Sequence, residues 1–220
     1  MSPRTVFEEE LSALKNNIQE MGQEVEKAYD SLFDAIKEKD RETIEALKQN
    51  DRRVNDMERK IESRCLALIT KQQPVAKDLR MISAALKVVT DLERVGDNVA
   101  DIADLILRLD FADFKLYSTH LETMIEETKK IIHDGVGAFI NRDVETAKEF
   151  YKRDDVIDDL FNLVKEDLVN CLKKEDQNVD NCIDILMIAK YLEKMGDHAV
   201  IIAEWEVFRE NGTMKEFRIF

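Results

Sequence analysis

Apolar residues recur along the chain at alternating steps of three and four, the spacing of a helix that buries one face. Phe7, Leu11, Leu14, Ile18, Met21, Val25, Ala28 and Leu32 form the first such seam and predict a helix over 5–37. Asp40 stands where an aspartate N-cap opens the next helix, which runs to about 71. Pro74 breaks the chain, and a third helix is expected over 76–109. The pattern restarts near Ser118, with helices expected over 118–140, 143–173 and 178–209.

The second half repeats the first. Shifted by 100 positions, Leu86, Leu92, Glu93, Gly96, Asp97, Ile102 and Ala103 meet Leu186, Leu192, Glu193, Gly196, Asp197, Ile202 and Ala203. Shifted by 103, Asp40, Glu42, Thr43, Asp51 and Asp56 meet Asp143, Glu145, Thr146, Asp154 and Asp159. The hairpin around Pro74 is therefore about three residues longer than its twin. So long a period does not suit a solenoid. The expected fold is all-α: two tandem, similar three-helix bundles of six long helices, one over 1–112 and one over 113–220.

Composition narrows the picture further. Six Gly and two Pro are far too few turn-formers for a β-sandwich or barrel, since average usage would give about 26. Lys and Arg number 33 against 47 Asp and Glu, a net charge of −14 that opposes nucleic-acid phosphate and anionic lipid as partners. No strictly apolar run exceeds five residues, where a spanning helix needs about 20. The first ten residues hold no apolar signal core, so the expected location is the cytoplasm. Cys65, Cys171 and Cys182 lack metal-motif spacing and are expected as reduced core residues.

Several carboxylates fall in the seams. The third helix reads Leu79, Ile82, Leu86, Val89, Glu93, Gly96, Ala100, Ala103, and the sixth carries Glu193 in the matching slot. The second helix carries Asp51 and the fifth Asp154. Each has an oxygen-bearing partner four residues on, which shares its helix face: Glu93 with Asp97, Glu193 with Asp197, Asp154 with Asp158, and Asp51 with Asn55. In a hairpin centred on Pro74, Asp51 faces Asp97 and Asn55 faces Glu93. In one centred between Glu175 and Asp176, Asp154 faces Asp197 and Asp158 faces Glu193. Each bundle thus places four oxygen donors at one level, about 30 Å from its turn. Oxygen-only ligation suits hard cations such as magnesium, manganese, calcium or iron. The plainer reading is a solvated face whose charges pair with bases such as Arg94 and Lys194. Gly96 and Gly196, costly inside a helix, suggest close backbone approach beside these levels.

Gln73-Pro-Val-Ala-Lys-Asp-Leu-Arg80, Asp91-Leu-Glu-Arg-Val-Gly-Asp-Asn98 and Tyr191-Leu-Glu-Lys-Met-Gly-Asp-His198 together resemble the PhoU family of phosphate-transport regulators. The resemblance covers nearly the whole chain, doubling included. It implies multinuclear metal sites on Glu/Asp-x-x-x-Asp motifs, holding iron, manganese, magnesium or zinc. Carried across, the ligands are Asp51, Glu93, Asp97, Asp154, Asp158, Glu193 and Asp197. The chain departs from the family pattern at Lys194, where arginine is usual, and at Asn55, which offers oxygen without charge. The first-half site is therefore expected to bind metal more weakly. The resemblance further implies a non-enzymatic regulator that restrains high-affinity phosphate uptake and keeps the starvation response off. Its implied partners are the ATPase subunit of the phosphate ABC transporter, a phosphate-sensing histidine kinase and a second copy of itself.

Three other readings compete. A carboxylate-bridged di-iron enzyme needs Glu-x-x-His on two helices, yet Tyr117, Lys130 and Met195 precede His120, His133 and His198 by three. A histidine phosphotransfer bundle would use His133 as acceptor. A plain adaptor would leave the carboxylates empty. No phosphate-cradling Gly-rich loop or nucleophile–base pair is visible.

Overall fold

The computed structural model describes residues 3–109, 117–174 and 178–213, apart from the side chains of 3, 49–51 and 151. The expected boundary at 112/113 falls outside that set. Helices account for nearly all of it: α1 (Pro3–Glu38), α2 (Arg41–Gln72), α3 (Ala76–Arg108), α4 (Leu121–Asn141), α5 (Val144–Lys148), α6 (Phe150–Leu172) and α7 (Val179–Asn211). The single helix expected over 143–173 is broken at Glu149. There Glu149 N–H bonds the Thr146 carbonyl and Lys152 N–H bonds that of Glu149, three-residue steps that tighten the turn.

The repeat extends to the turns. Asp40 accepts from the Thr43 N–H at 3.1 Å and the Thr43 hydroxyl at 2.6 Å; Asp143 does the same with Thr146 at 3.0 and 2.7 Å. Lys39 and Arg142, the residues just before these caps, both take left-handed backbone, with φ of 58° and 60°. The next N–H then reaches back to the carbonyl of Ala35 in one half and Ala138 in the other. This closes each preceding helix by its orphan carbonyls.

Packing sets the helices in a row, α2–α3–α7–α6, with α3 beside α7 at the centre. α1 lies over α2 and α3, α4 lies over α6 and α7, and the two touch. Tyr29 of α1 donates to the Ile125 carbonyl of α4 at 2.7 Å, entirely inside. Among the described residues no element covers the opposite face of the row. One continuous apolar core runs through both halves, from Leu14 and Ile82 to Ile185 and Ala203. All three cysteines are buried within it, and burial pushes the Cys65 thiol up to about 12, leaving it inert. No described helix is long and apolar enough to cross a membrane.

α3 and α7 run antiparallel, because contacts climb one helix as they descend the other. Lys77 meets Glu210, the Arg80 guanidinium meets the Arg209 carbonyl, and Asp91 meets His198 at 3.0 Å. By this register Glu93 lies level with Gly196 and Asp97 with Leu192.

The α3 seam proves to be two parallel rows. Ile82, Val89, Gly96 and Ala103 are buried; Leu79, Leu86, Glu93 and Ala100, one heptad apart, lie along its margin. Leu79, read as core, is 40% exposed. Glu93 thus stands at the border of core and solvent, where a carboxylate can keep water or meet a cation.

Candidate functional site

Helical spacing brings four carboxylates of the second half together. Asp154 and Asp158 stand one turn apart on α6, and Glu193 and Asp197 one turn apart on α7. Burial, followed by the charges of Asp197, Asp158, Asp155 and Glu193, pushes the Asp154 carboxyl up to about 7. Burial and then Glu193 and Asp197 raise Asp158 as well, with nearby Lys190 easing the shift. These groups repel one another when ionised. Lysines offset part of that charge: the Lys190 ammonium lies 2.6 Å from both Glu193 oxygens, and Lys194 lies 2.6 Å from Asp197.

The first half is related but not identical. Arg94 stands 3.7 Å from Glu93 and 3.9 Å from Asp97. Asn55 is half-buried on α2. The Asp51 side chain lies outside the described residues. A residue not expected in the site, Glu58, joins it. Burial, then the charges of Glu93 and Glu62, raise its carboxyl, while the Thr90 hydroxyl and Arg94 hold it down. In the second half the twins are Phe161 and Lys190, whose ammonium sits 5.4 Å from the ring centroid. A glutamate–threonine contact in one bundle is therefore an aromatic–cation contact in the other. Glu58 lies one heptad beyond Asp51 on the same face of α2, but the repeat gives it no acidic twin, since Phe161 stands at the matching position of α6.

The two glycines mark where the helices close on each other. A Cβ on Gly96 would lie 3.1 Å from Val54, and one on Gly196 would lie 3.4 Å from Ile157, its twin. Asp104, two turns beyond Asp97 on α3, pairs with Lys48 at 2.7 Å. His133 is an exposed residue of α4, 3.3 Å from Glu26.

The donor set of both clusters is oxygen only, the chemistry of hard cations. Among the described residues no three acidic, histidine or cysteine side chains converge on one point. A cation would therefore have to draw Glu193 and Asp197 from Lys190 and Lys194, and would offset the burial and, after it, the repulsion that together raise the Asp154 carboxyl. The residues suit such an ion in chemistry, with lysines as competitors.

The PhoU domain model matches twice, over residues 18–106 and 121–205, one copy per half. The chain is 33% identical to a phosphate-specific transport system accessory protein PhoU homolog of Clostridium acetobutylicum, over 95% of this chain and 96% of that one. It is 31% identical to a PhoU homolog 1 of Methanothermobacter thermautotrophicus, over 94% of each. Among solved structures, the phosphate transport system regulatory protein PhoU from Streptococcus pneumoniae superposes with a TM-score of 0.87 at 27% identity, over 96% of this chain and 99% of that one. PhoU from Pseudomonas aeruginosa gives 0.88 at 26% identity, over 94% and 100%. Doubled domain, helix order and near full-length coverage agree: the chain belongs to the PhoU family.

Proposed function

We propose that this protein is a cytoplasmic, non-enzymatic regulator of phosphate homeostasis that restrains high-affinity phosphate uptake and keeps the starvation two-component response off. The observation that carries this reading is the full-length match to phosphate-specific transport system accessory proteins. In this reading its partners are the ATPase subunit of the phosphate ABC transporter, a phosphate-sensing histidine kinase and a second copy of the chain. The uncovered face of the α2–α3–α7–α6 row is a broad rigid surface suited to such contacts.

The carboxylate clusters are proposed as metal sites, with iron, manganese, magnesium or zinc as candidates. Asp154, Asp158, Glu193 and Asp197 would hold the ion in the second half; Asp51, Asn55, Glu58, Glu93 and Asp97 would do so in the first. A bound cation supplies positive charge that cancels carboxylate repulsion and ties neighbouring helices. Lys190 and Lys194 do part of that work in its absence. Binding to the folded state alone stabilises it by mass action.

Deleting the protein from its own cells tests the regulatory role. The expected result is higher phosphate uptake and higher starvation-response output in phosphate-rich medium. Unchanged values for both would overturn it. Metal content by mass spectrometry, on protein purified without chelator, tests the sites separately. Metal should fall in a Glu193→Ala/Asp197→Ala variant; none after loading with iron, manganese, magnesium and zinc would leave the clusters as surface charge.

A further inference from the structure

At the end of the molecule where α3 begins and α7 ends, a cavity of about 330 Å³ opens between the two halves. α1 lines it with Leu11 and Lys15, α3 with Lys77 and Met81, the end of α4 with Arg142, and α7 with Arg209. Its size falls at the small end of ligand pockets. It lies roughly 18 Å along α3 from Glu93, at 1.5 Å per residue from Met81.

The charges here sort unevenly. Every carboxylate at the rim already has a basic partner. Glu8 and Asp78 share Arg4, at 2.9 and 3.4 Å, and Glu210 pairs with Lys77 at 3.3 Å. Below them the buried Arg209 pairs with the buried Glu206 and donates to the Phe139 carbonyl at 2.9 Å. Lys15 and Arg142 have no such partner among the described residues. Arg142 stands near enough for its positive charge to act on both Glu206 and Arg209. So in a chain of net charge −14, one concave site gathers surplus positive charge beside the apolar walls of Leu11 and Met81.

We propose that this cavity binds a small organic oxyanion carrying two or more negative charges, held by Lys15 and Arg142 over an apolar floor that takes its carbon body. Lys15 belongs to the first half and Arg142 to the second, so the ligand bridges the two. This site is independent of the carboxylate clusters and of the regulatory role proposed above.

The test is calorimetric titration of the full chain at low salt with adenosine monophosphate and with citrate, beside inorganic phosphate, which lacks a carbon body. Arg142 takes left-handed backbone, which glycine tolerates best, so Arg142→Gly removes the charge without straining the turn. One-site saturable binding of at least one organic anion is expected, together with a rise in Tm. Affinity should fall about tenfold or more in Lys15→Gln/Arg142→Gly, and Arg142→Lys should retain most of it. Lys60→Gln/Lys173→Gln, on distant exposed lysines, should leave it unchanged. Absence of saturable binding by either organic anion overturns the proposal. So does binding that survives the Lys15/Arg142 variant, or that falls equally in the distant one. Inorganic phosphate binding as tightly as both organic anions would overturn the role of the apolar floor.

Discussion

At the scale of single residues, two pairs of twins give sharp expectations. Gly196 lies in a helix with room for a methyl at ordinary contact from Ile157, whereas Gly96 would press on Val54. Alanine gains up to about 1 kcal/mol over glycine within a helix. Gly196→Ala should therefore stabilise by about that amount in denaturant unfolding, and Gly96→Ala should fall near zero. The caps Asp40 and Asp143 give a pH expectation. Hydrogen bonds from the side chain and backbone of Thr43 and Thr146 hold both carboxyls below their ordinary value. Their contribution is thus complete above the unfolded carboxylate range near pH 4 and is lost as pH falls through the lowered folded values. Asp40→Asn/Asp143→Asn, which keeps an acceptor at each cap, should flatten the acid limb of a stability profile below about pH 4. An acid limb as steep as the parent's would contradict the assignment.

At the scale of elements, the buried Glu206–Arg209 pair joins α7 to α3 and α4, reaching the Met81 sulfur and the Phe139 carbonyl. Burial raises the Glu206 carboxyl to about 7 and lowers Arg209, so desolvation outweighs their mutual attraction. Arg209→Met strands a buried carboxyl and should cost about 3–5 kcal/mol, while Glu206→Met/Arg209→Met should cost far less. Because the folded Glu206 value lies above the unfolded one, its contribution is complete below about pH 4 and declines as pH rises toward 7. A double-mutant cycle followed across that range checks both statements. This pair had no signature in the sequence, since Glu206 and Arg209 read as ordinary polar positions near a helix end. The helices were legible because their seams are long and Pro74 and Asp40 mark clear boundaries. The break at Glu149 was not, because neither glycine nor proline stands there. The expected carboxylate levels rest on hairpin register alone. That Glu93 occupies the margin of its seam required knowing which flank α2 covers.

At the scale of the whole molecule, the antiparallel pairing of α3 with α7 sets both carboxylate clusters at one height, in the outer grooves of a single row. The weaker first site expected from Asn55 rested on one missing charge, and Glu58 restores the number of carboxylates beside Glu93. If the clusters hold metal as proposed, Glu58→Phe should weaken the first site by about tenfold or more. Lys190→Thr, which frees Glu193, should tighten the second. Titration of each variant with one divalent ion reads both effects, and unchanged affinities would remove Glu58 and Lys190 from the sites. The same arrangement has a consequence for how the halves can differ. With α3 and α7 related as neighbours across a near-twofold axis, the chain has the form of a dimer whose two subunits are covalently joined. In a true homodimer every substitution appears twice, so both sites must change together. Here Glu58 faces Thr90 while Phe161 faces Lys190, and neither choice constrains the other. A fused pair of this kind can set two separate thresholds where a symmetric dimer has one.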